Sequence, residues 1–393
     1  MIGAGHSETQ HHHAGGHDAA SADLLARTAQ FAREVVSVQA PQWERERRMA
    51  PEAIRAAAAI GLCGIETPVE HGGLGQPFSI KCRVSEILAS ADYAFAFSLI
   101  NTQNVANKLA RHAPAAVRDR YVPGLLRGEL IGCTALTEPG MGSDFSAIQT
   151  CATRVEGGWR IDGRKSWITN AAHTDVIMLF AQTRPGSGAA GIAGFVVDAR
   201  RQGFVREPAF SLVGQHGIGA GGFALDGYIA QDEEMLQPPG TAFKAAMTSI
   251  NGARTYVAAM CCGMVGEALR IATAYGESRQ TFGAVLADHQ GWRWRLAEAS
   301  AELLACRLMV AEAARLIDAG ADAQIVAAQT KLQSTRMAER QLVALAQAMG
   351  AEGLRENHPF GRHLVGARVA NFTDGSTEML LERIAASLRR GKR

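Results

Sequence analysis

Apolar positions change period twice along the chain, and the changes divide it into three parts. In the first part apolar residues recur every three or four positions. Leu24, Leu25, Thr28, Ala32, Val35 and Val36 mark one helical face from Ser21 onward. Further helices are predicted over Pro51–Gly61, Ile80–Ala91, Phe95–Arg111 and Pro114–Arg127, with Pro51 and Pro114 in first turns that need no N–H. Between the first two lies Thr67–Gly75, a loop by its glycine density. From Ile131 to about Pro239, short apolar runs such as Val176–Ala181 and Gly191–Val197 alternate with glycine-rich turns, the pattern of a small β-barrel or sandwich. Helical spacing returns after Thr241: Val257, Met260, Cys261, Met264, Ala268 and Leu269 form one face. Gln290–Leu316 and Ala323–Met349 are then long enough for an up-and-down bundle. The expectation is an α+β chain with a flexible His-rich leader over residues 1–20, a helical domain over 21–130, a β-barrel domain over 131–240 and a four-helix bundle over 241–393.

Composition narrows the class. An apolar fraction of 47% over 393 residues is enough for several packed domains. A net charge of only +2 argues against a dedicated nucleic-acid binder, and the basic tail from Arg389 to Arg393 reads as a solvated end. No apolar run approaches a membrane-spanning length. The seven cysteines include no C-x-x-C pair, so neither a zinc site nor a disulfide framework is indicated, and a reducing cytoplasm is expected. Five of the twelve histidines fall in the leader, which is read as unstructured and without a metal role.

Candidate chemistry concentrates in Thr134–Asn170. Leu136-Thr137-Glu138-Pro139-Gly140-Met141-Gly142-Ser143-Asp144 cannot continue a helix and offers two hydroxyls beside open backbone N–H groups. Lys165-Ser166-Trp167-Ile168-Thr169-Asn170 is strand-like, and residues two apart on a strand share a face, so Trp167 and Thr169 are expected to cover one ligand. A flat ring with two hydroxyl clusters suits a planar heteroaromatic group carrying phosphate. An edge hairpin with Trp167 in a core fits the same words. Gly217–Gly222 matches G-x-G-x-x-G, but Phe223–Ile229 after it is strand-like, so no NAD site is read there.

These two words resemble the middle domain of the acyl-CoA dehydrogenases, where LTEPxxGSD and G(R/K)KxWITN line the FAD site. The resemblance implies that Leu136, Thr137, Trp167 and Thr169 lie against the flavin ring and that Ser143 holds a pyrophosphate oxygen. Arg279-Gln280-Thr281-Phe282-Gly283, with His289-Gln290 after it, is similar to the family's R-x-x-F-G…Q word, and Gln347 to Gly353 to its Q-x-x-G-G-x-G word. By that likeness Arg279, Phe282, Gln290, Gln347 and Ala351 contact the FAD of a neighbouring subunit, with Ala351 replacing a glycine, and a homotetramer is implied. Phe372-Thr373-Asp374-Gly375-Ser376 aligns with the family's base loop, which places Asp374 in the role of the usual glutamate base and Ser376 beside the flavin. Asp374 also fits a helix N-cap. Arg254 is implied near the carboxylate and the thioester, with a structural ion pair as the other reading. The expected function is α,β-desaturation of an acyl-CoA, with an electron-transferring flavoprotein as acceptor. The alternatives are an acyl-carrier-protein dehydrogenase of a biosynthetic pathway and a nitroalkane-oxidase-like flavin oxidase. The polar run Asn101–Asn104 lies where the family lines its acyl pocket; it reads as a solvent-facing stripe first, and as the mark of a short or polar acyl chain second.

Overall fold

The computed structural model describes residues 9–390. Helix α1, Thr9–Phe31, runs through one π turn into α2, Ser37–Glu46. The part of the expected leader at residues 1–8 lies outside the described residues; from Thr9 the backbone is already helical, so α1 begins well before Ser21. Helices α3 (Pro51–Ala59), α4 (Phe78–Ala91), α5 (Tyr93–His112) and α6 (Ala115–Leu126) follow, each within a few residues of its predicted bounds. Asp92 separates α4 from α5 because its carboxylate accepts the Phe95 N–H at 2.8 Å, an N-cap that restarts the helix in a new direction.

Eight strands form one sheet: β1 (Gly132–Ala135), β2 (Cys151–Val155), β3 (Gly158–Ile168), β4 (Val176–Gln182), β5 (Ile192–Asp198), β6 (Phe204–Ala209), β7 (Gly221–Gln231) and β8 (Met235–Gln237). The order is β6-β7-β3-β2-β4-β5-β8, with β1 running parallel to β4. Strands β4 and β5 are buried along their whole length, which explains their unbroken apolar sequence. The sheet closes over its own core, built from Ile161, Leu179, Phe195, Val197, Phe223 and Tyr228 among others.

Four long helices and a terminal one complete the chain: α7 (Ala242–Ser278), α8 (Gln290–Asp318), α9 (Gln324–Ala348), α10 (Phe360–Phe372) and α11 (Thr377–Arg390). Helix α7 is apolar and long enough to cross a membrane, but Ala253–Val265 is buried within the protein as the axis of the bundle. It is shared between the helical domains, since α4 packs on it as closely as α9 does. At Gly263 a Cβ would come 2.0 Å from the Glu86 carbonyl oxygen, so only glycine permits that approach. One core therefore joins the first and third parts of the chain. The sheet domain is locked to α5 by Asn170, whose fully buried amide donates to the carbonyls of Ser98 and Gly132 and accepts the Ser98 hydroxyl.

Candidate active site

The turn between α10 and α11 carries Asp374 in a left-handed conformation, φ +53°, which an aspartate tolerates at modest cost. Three side chains from three helices pin this turn. Arg254 on α7 donates Nε–H to the Asp374 carbonyl at 3.1 Å, and Lys331 on α9 donates to the Gly375 carbonyl at 2.6 Å. Thr377 donates its hydroxyl to Asn371 Oδ1 at 3.1 Å, closing the turn on itself. Asp374 Oδ2 is out of contact with solvent and has no hydrogen-bond partner among the described residues. Burial raises its pKa above the usual carboxylate range, while the charges of Lys331 and then Arg254 hold it down. A dry carboxylate with one free oxygen is equipped to accept a proton.

The capping alternative for Asp374 does not hold. The Met379 N–H at the start of α11 meets Ser376 Oγ at 3.5 Å, so Ser376 stands at the cap and the Asp374 carboxylate is left free. Arg254 lies beside Asp374, where the resemblance implies it, but makes no ion pair there among the described residues. It grips the backbone of the base turn rather than pairing with its carboxylate, and burial brings its pKa down to about 10, so it remains charged at neutral pH. Lys331 was not singled out in the sequence, because a lone lysine inside an amphipathic helix reads as a solvated one. Here it is fully buried, and burial pushes it down to about 8.

The two words of the middle domain meet at the ends of β1 and β3. Ser166 N–H donates to the Thr137 carbonyl at 3.0 Å, and Lys165 Nζ donates to the Leu136 carbonyl at 3.0 Å. Beneath them lies a second residue pair that the motifs concealed. Lys165 and Glu138 form a buried ion pair at 2.9 Å, and Glu138 also accepts the N–H groups of Gln149 and Thr150. Burial opposes the Glu138 charge, but Lys165 and these donors outweigh it and its pKa is lowered. Glu138 thus ties the two ends of the 136–150 loop to each other and, through Lys165, to β3, so the pair sets the rim's shape.

The strand argument for Trp167 fails locally. The β3–β7 register shifts between Lys165 and Ile168, Trp167 sits at φ +59°, and β3 ends at Ile168, before Thr169. A left-handed residue breaks strict alternation, so Trp167 is turned outward by the irregularity and not by strand parity. Nor is it a core residue: its indole is 63% exposed, with the Phe210 ring at 4.7 Å. Ser143 is exposed, and Thr137 and Thr169 are half-buried. An open indole next to Ser166, which bonds the Thr137 carbonyl, with glycines 140 and 142 in that same loop having nothing within 4 Å of a would-be Cβ, leaves room for a flat ring with a polar tail. The residues present fit FAD.

Arg279, Phe282, Gln290, Gln347 and Ala351 gather elsewhere, at one end of the bundle, and all five are exposed. Trp292 holds that end together by donating Nε1–H to the Ala348 carbonyl at 2.9 Å, against Gly276. Phe282 is 98% exposed and in a left-handed conformation, φ +50°.

The run Asn101–Asn104 is no solvent stripe. Asn101 donates to the Phe97 carbonyl, Thr102 accepts the Gly132 N–H, and Gln103 donates to the Leu62 carbonyl, so these three are buried structural groups. Only Asn104 turns toward α7, where it meets Tyr256.

The helix–sheet–helix frame, the enclosed carboxylate and the hydroxyl-bearing aromatic rim together define a flavoprotein dehydrogenase. The chain belongs to the acyl-CoA dehydrogenase family: the family's N-terminal domain matches residues 19–129, its middle domain 133–228 and its C-terminal domain 240–389. It is 28% identical over 360 residues to the short-chain-specific acyl-CoA dehydrogenase of Clostridium acetobutylicum, covering 89% of this chain and 93% of that one. Butyryl-CoA dehydrogenase from Megasphaera elsdenii has the same fold, with a TM-score of 0.89 at 26% identity over 94% of this chain and 97% of the other. The fold is shared as well by PigA, solved with FAD and proline, at a TM-score of 0.88 and 24% identity over 94% and 97% of the two chains.

Proposed function

We propose that this chain binds FAD and desaturates an acyl thioester at its α,β bond, with Asp374 as the base. The observation that carries this reading is the buried, unpartnered Oδ2 of Asp374 on a turn pinned by Arg254 and Lys331. Asp374 Oδ2 takes the α-proton; its raised pKa brings the carboxylate closer to that of the acidified carbon and so eases the transfer. An aspartate reaches about one methylene less than a glutamate, and misplacement by about 1 Å costs on the order of a hundredfold. Arg254 and Lys331 meet that demand by fixing the backbone from both sides of the turn. Bound FAD supplies the two-electron acceptor for the β-hydride. Thr137, Ser143, Trp167 and Thr169 would hold its ring and pyrophosphate, and the Glu138–Lys165 pair keeps their loop and strand in register.

A second copy of the chain is part of the proposal. The exposed Phe282, with Arg279, Gln290, Gln347 and Ala351 around the same bundle end, supports cofactor contacts made across subunits in a homotetramer. Sedimentation of the holoenzyme as a monomer would overturn that part. Electrons would leave to an electron-transferring flavoprotein. The carrier would be coenzyme A or an acyl carrier protein. A cytoplasmic location is supported by seven free cysteines, six of them buried. The test is an anaerobic visible spectrum of the purified flavoprotein titrated with acyl thioesters. Bleaching by at least one ester is expected; yellow protein that none bleaches refutes the reading.

A further inference from the structure

Helix α5 opens on Tyr93, directly after its cap at Asp92, and the Tyr93 side chain is fully buried. Its ring stacks on Phe97 with centroids 5.5 Å apart, and its root lies against α10. A Cβ built on Gly366 would come within 3.0 Å of Tyr93 Cβ and 3.3 Å of Cγ, so glycine is what lets the two helices approach there. Gly366, Ala370 and Thr373 follow one another at i, i+4 and i+7, a single face of α10 that ends at the base turn. A phenol rooted at Gly366 is thereby aimed along that face toward Thr373 and Asp374. The Thr373 hydroxyl, which donates to the Ala370 carbonyl at 3.4 Å, is near enough to act on the phenol, and so is the Asp374 charge.

Two oxygens in this dry space lack partners of opposite kind. Tyr93 Oη is a buried hydroxyl with no hydrogen-bond partner among the described residues, and Asp374 Oδ2 is a buried acceptor with none. Leaving both unpaired is costly, and a phenol O–H on a carboxylate removes both costs together. The rival acceptors for the phenol hydrogen are weaker. Thr373 Oγ1 is neutral, and Cys261 on α7 is a thiol that burial pushes up to about 12, hence uncharged. Tyr256, the other phenol on which Asp374 acts, already takes the Asn104 amide hydrogen on its oxygen. The carboxylate in turn lacks a donor. Lys331 on α9 and Arg254 on α7 supply charge, with Arg383 on α11 opposing Arg254, but they bond the Gly375 and Asp374 carbonyls instead. Burial raises the Tyr93 phenol well above its ordinary range, so it stays an O–H donor at every working pH.

We propose that Tyr93 is a positioning residue for the base: its hydroxyl donates to the ionised Asp374 carboxylate and lets it go once the carboxylate has taken the α-proton. This rests on the reading of Asp374 as the base. The backbone of the turn is held by Arg254 and Lys331, so rotation about the Asp374 side-chain bonds is the motion that joins the two orphan oxygens. A carboxylate has lone pairs for both hydrogens, the phenol keeps its own proton throughout, and Thr373 Oγ1 is the acceptor to which it returns. The bond does what the backbone clamps cannot. It fixes the direction of a short side chain, and it stabilises the charged form against the burial that would keep the base protonated.

The experiment is the pH dependence of anaerobic flavin reduction in the holoenzyme, using an acyl thioester that bleaches the wild-type flavin. Tyr93→Phe keeps the ring on Phe97 and Gly366 and removes only the hydroxyl. Losing a donor to the charged form raises the base's pKa, so the acid limb should move up by about one pH unit and the rate below it should fall about tenfold, with KM changed by less than about twofold. Placing 3-fluorotyrosine at position 93, a more acidic and stronger donor of nearly the same size, should move the limb the other way, which a packing role does not do. Thr373→Val, which deletes the acceptor the phenol returns to, should leave the limb in place or lower it. Flavin content and Tm of each variant report whether it has folded. If no thioester bleaches the wild-type flavin, or Asp374→Asn reduces as fast as wild type, the base reading falls and takes this inference with it. If Asp374 stands as the base but Tyr93→Phe and the fluorotyrosine protein keep their limbs within about 0.3 pH units of wild type, this inference falls alone. An upward shift in Thr373→Val as large as that in Tyr93→Phe shows the phenol acting only through the turn, and overturns the bond to the carboxylate.

Discussion

Lys331→Gln isolates what the buried lysine does to the base. Glutamine keeps a donor for the Gly375 carbonyl, which Lys331 reaches at 2.6 Å, and removes the charge. The positive charge stabilises the Asp374 carboxylate, so removing it raises the Asp374 pKa further above its ordinary value. A unit charge about 7 Å from a carboxylate, at an effective dielectric constant of about 20, is worth about 2 kcal/mol, or roughly 1.5 pH units. The base works only when ionised, so the rate of flavin reduction falls as pH drops through its pKa. Because burial pushes Lys331 down only to about 8, its charge acts on Asp374 below that pH. The limb in Lys331→Gln should therefore move to higher pH by roughly 1 to 1.5 units, with the plateau far less affected. Stopped-flow reduction between pH 5 and 9 measures it, with flavin content and Tm as folding controls. A limb that stays within about 0.3 pH units of wild type, in a folded variant, refutes the electrostatic role of Lys331.

Other outcomes follow from the same geometry. Asp374→Asn should keep the bound-flavin spectrum and lose at least about a hundredfold in reduction rate; retention of most of the rate would point to another base. Trp167→Ala should change apo-protein stability by no more than about 0.5 kcal/mol, since the indole is exposed, yet weaken FAD binding in equilibrium dialysis. Unchanged FAD affinity would remove Trp167 from the cofactor site. Glu138→Gln leaves Lys165 buried without its charge partner and should cost on the order of 3–5 kcal/mol in denaturant unfolding; a change below about 0.5 kcal/mol would show that the pair is not what holds the rim.

Much of the frame was readable from periodicity alone. Helices α3 to α6, α8 and α9 and strands β4 and β5 fall close to their predicted bounds, because each has one dominant apolar pattern and clear breakers at its ends. The candidate site residues Thr137, Trp167 and Asp374 were singled out where a word of several residues carried them. What failed was parity and pairing. Trp167 points outward because of a register shift set by β7, a strand more than fifty residues away in sequence, and no local pattern carries that information. Asn101, Thr102 and Gln103 looked like a polar stripe, but Asn101 bonds Phe97 one turn back on its own helix, and the partners of Thr102 and Gln103, Gly132 and Leu62, lie elsewhere in the fold.

The sequence by itself determined the three-part architecture and the family, since these rest on local propensity and on contiguous words. Tertiary structure alone decided which polar groups are dry. Lys81, Lys331, Lys165 and Glu138 are written like surface residues, yet each is buried with its charge answered by a group far along the chain. Burial is a property of what packs against a residue, and the desolvation that raises Asp374 and lowers Lys331 exists only once α7, α9 and the α10–α11 turn have come together.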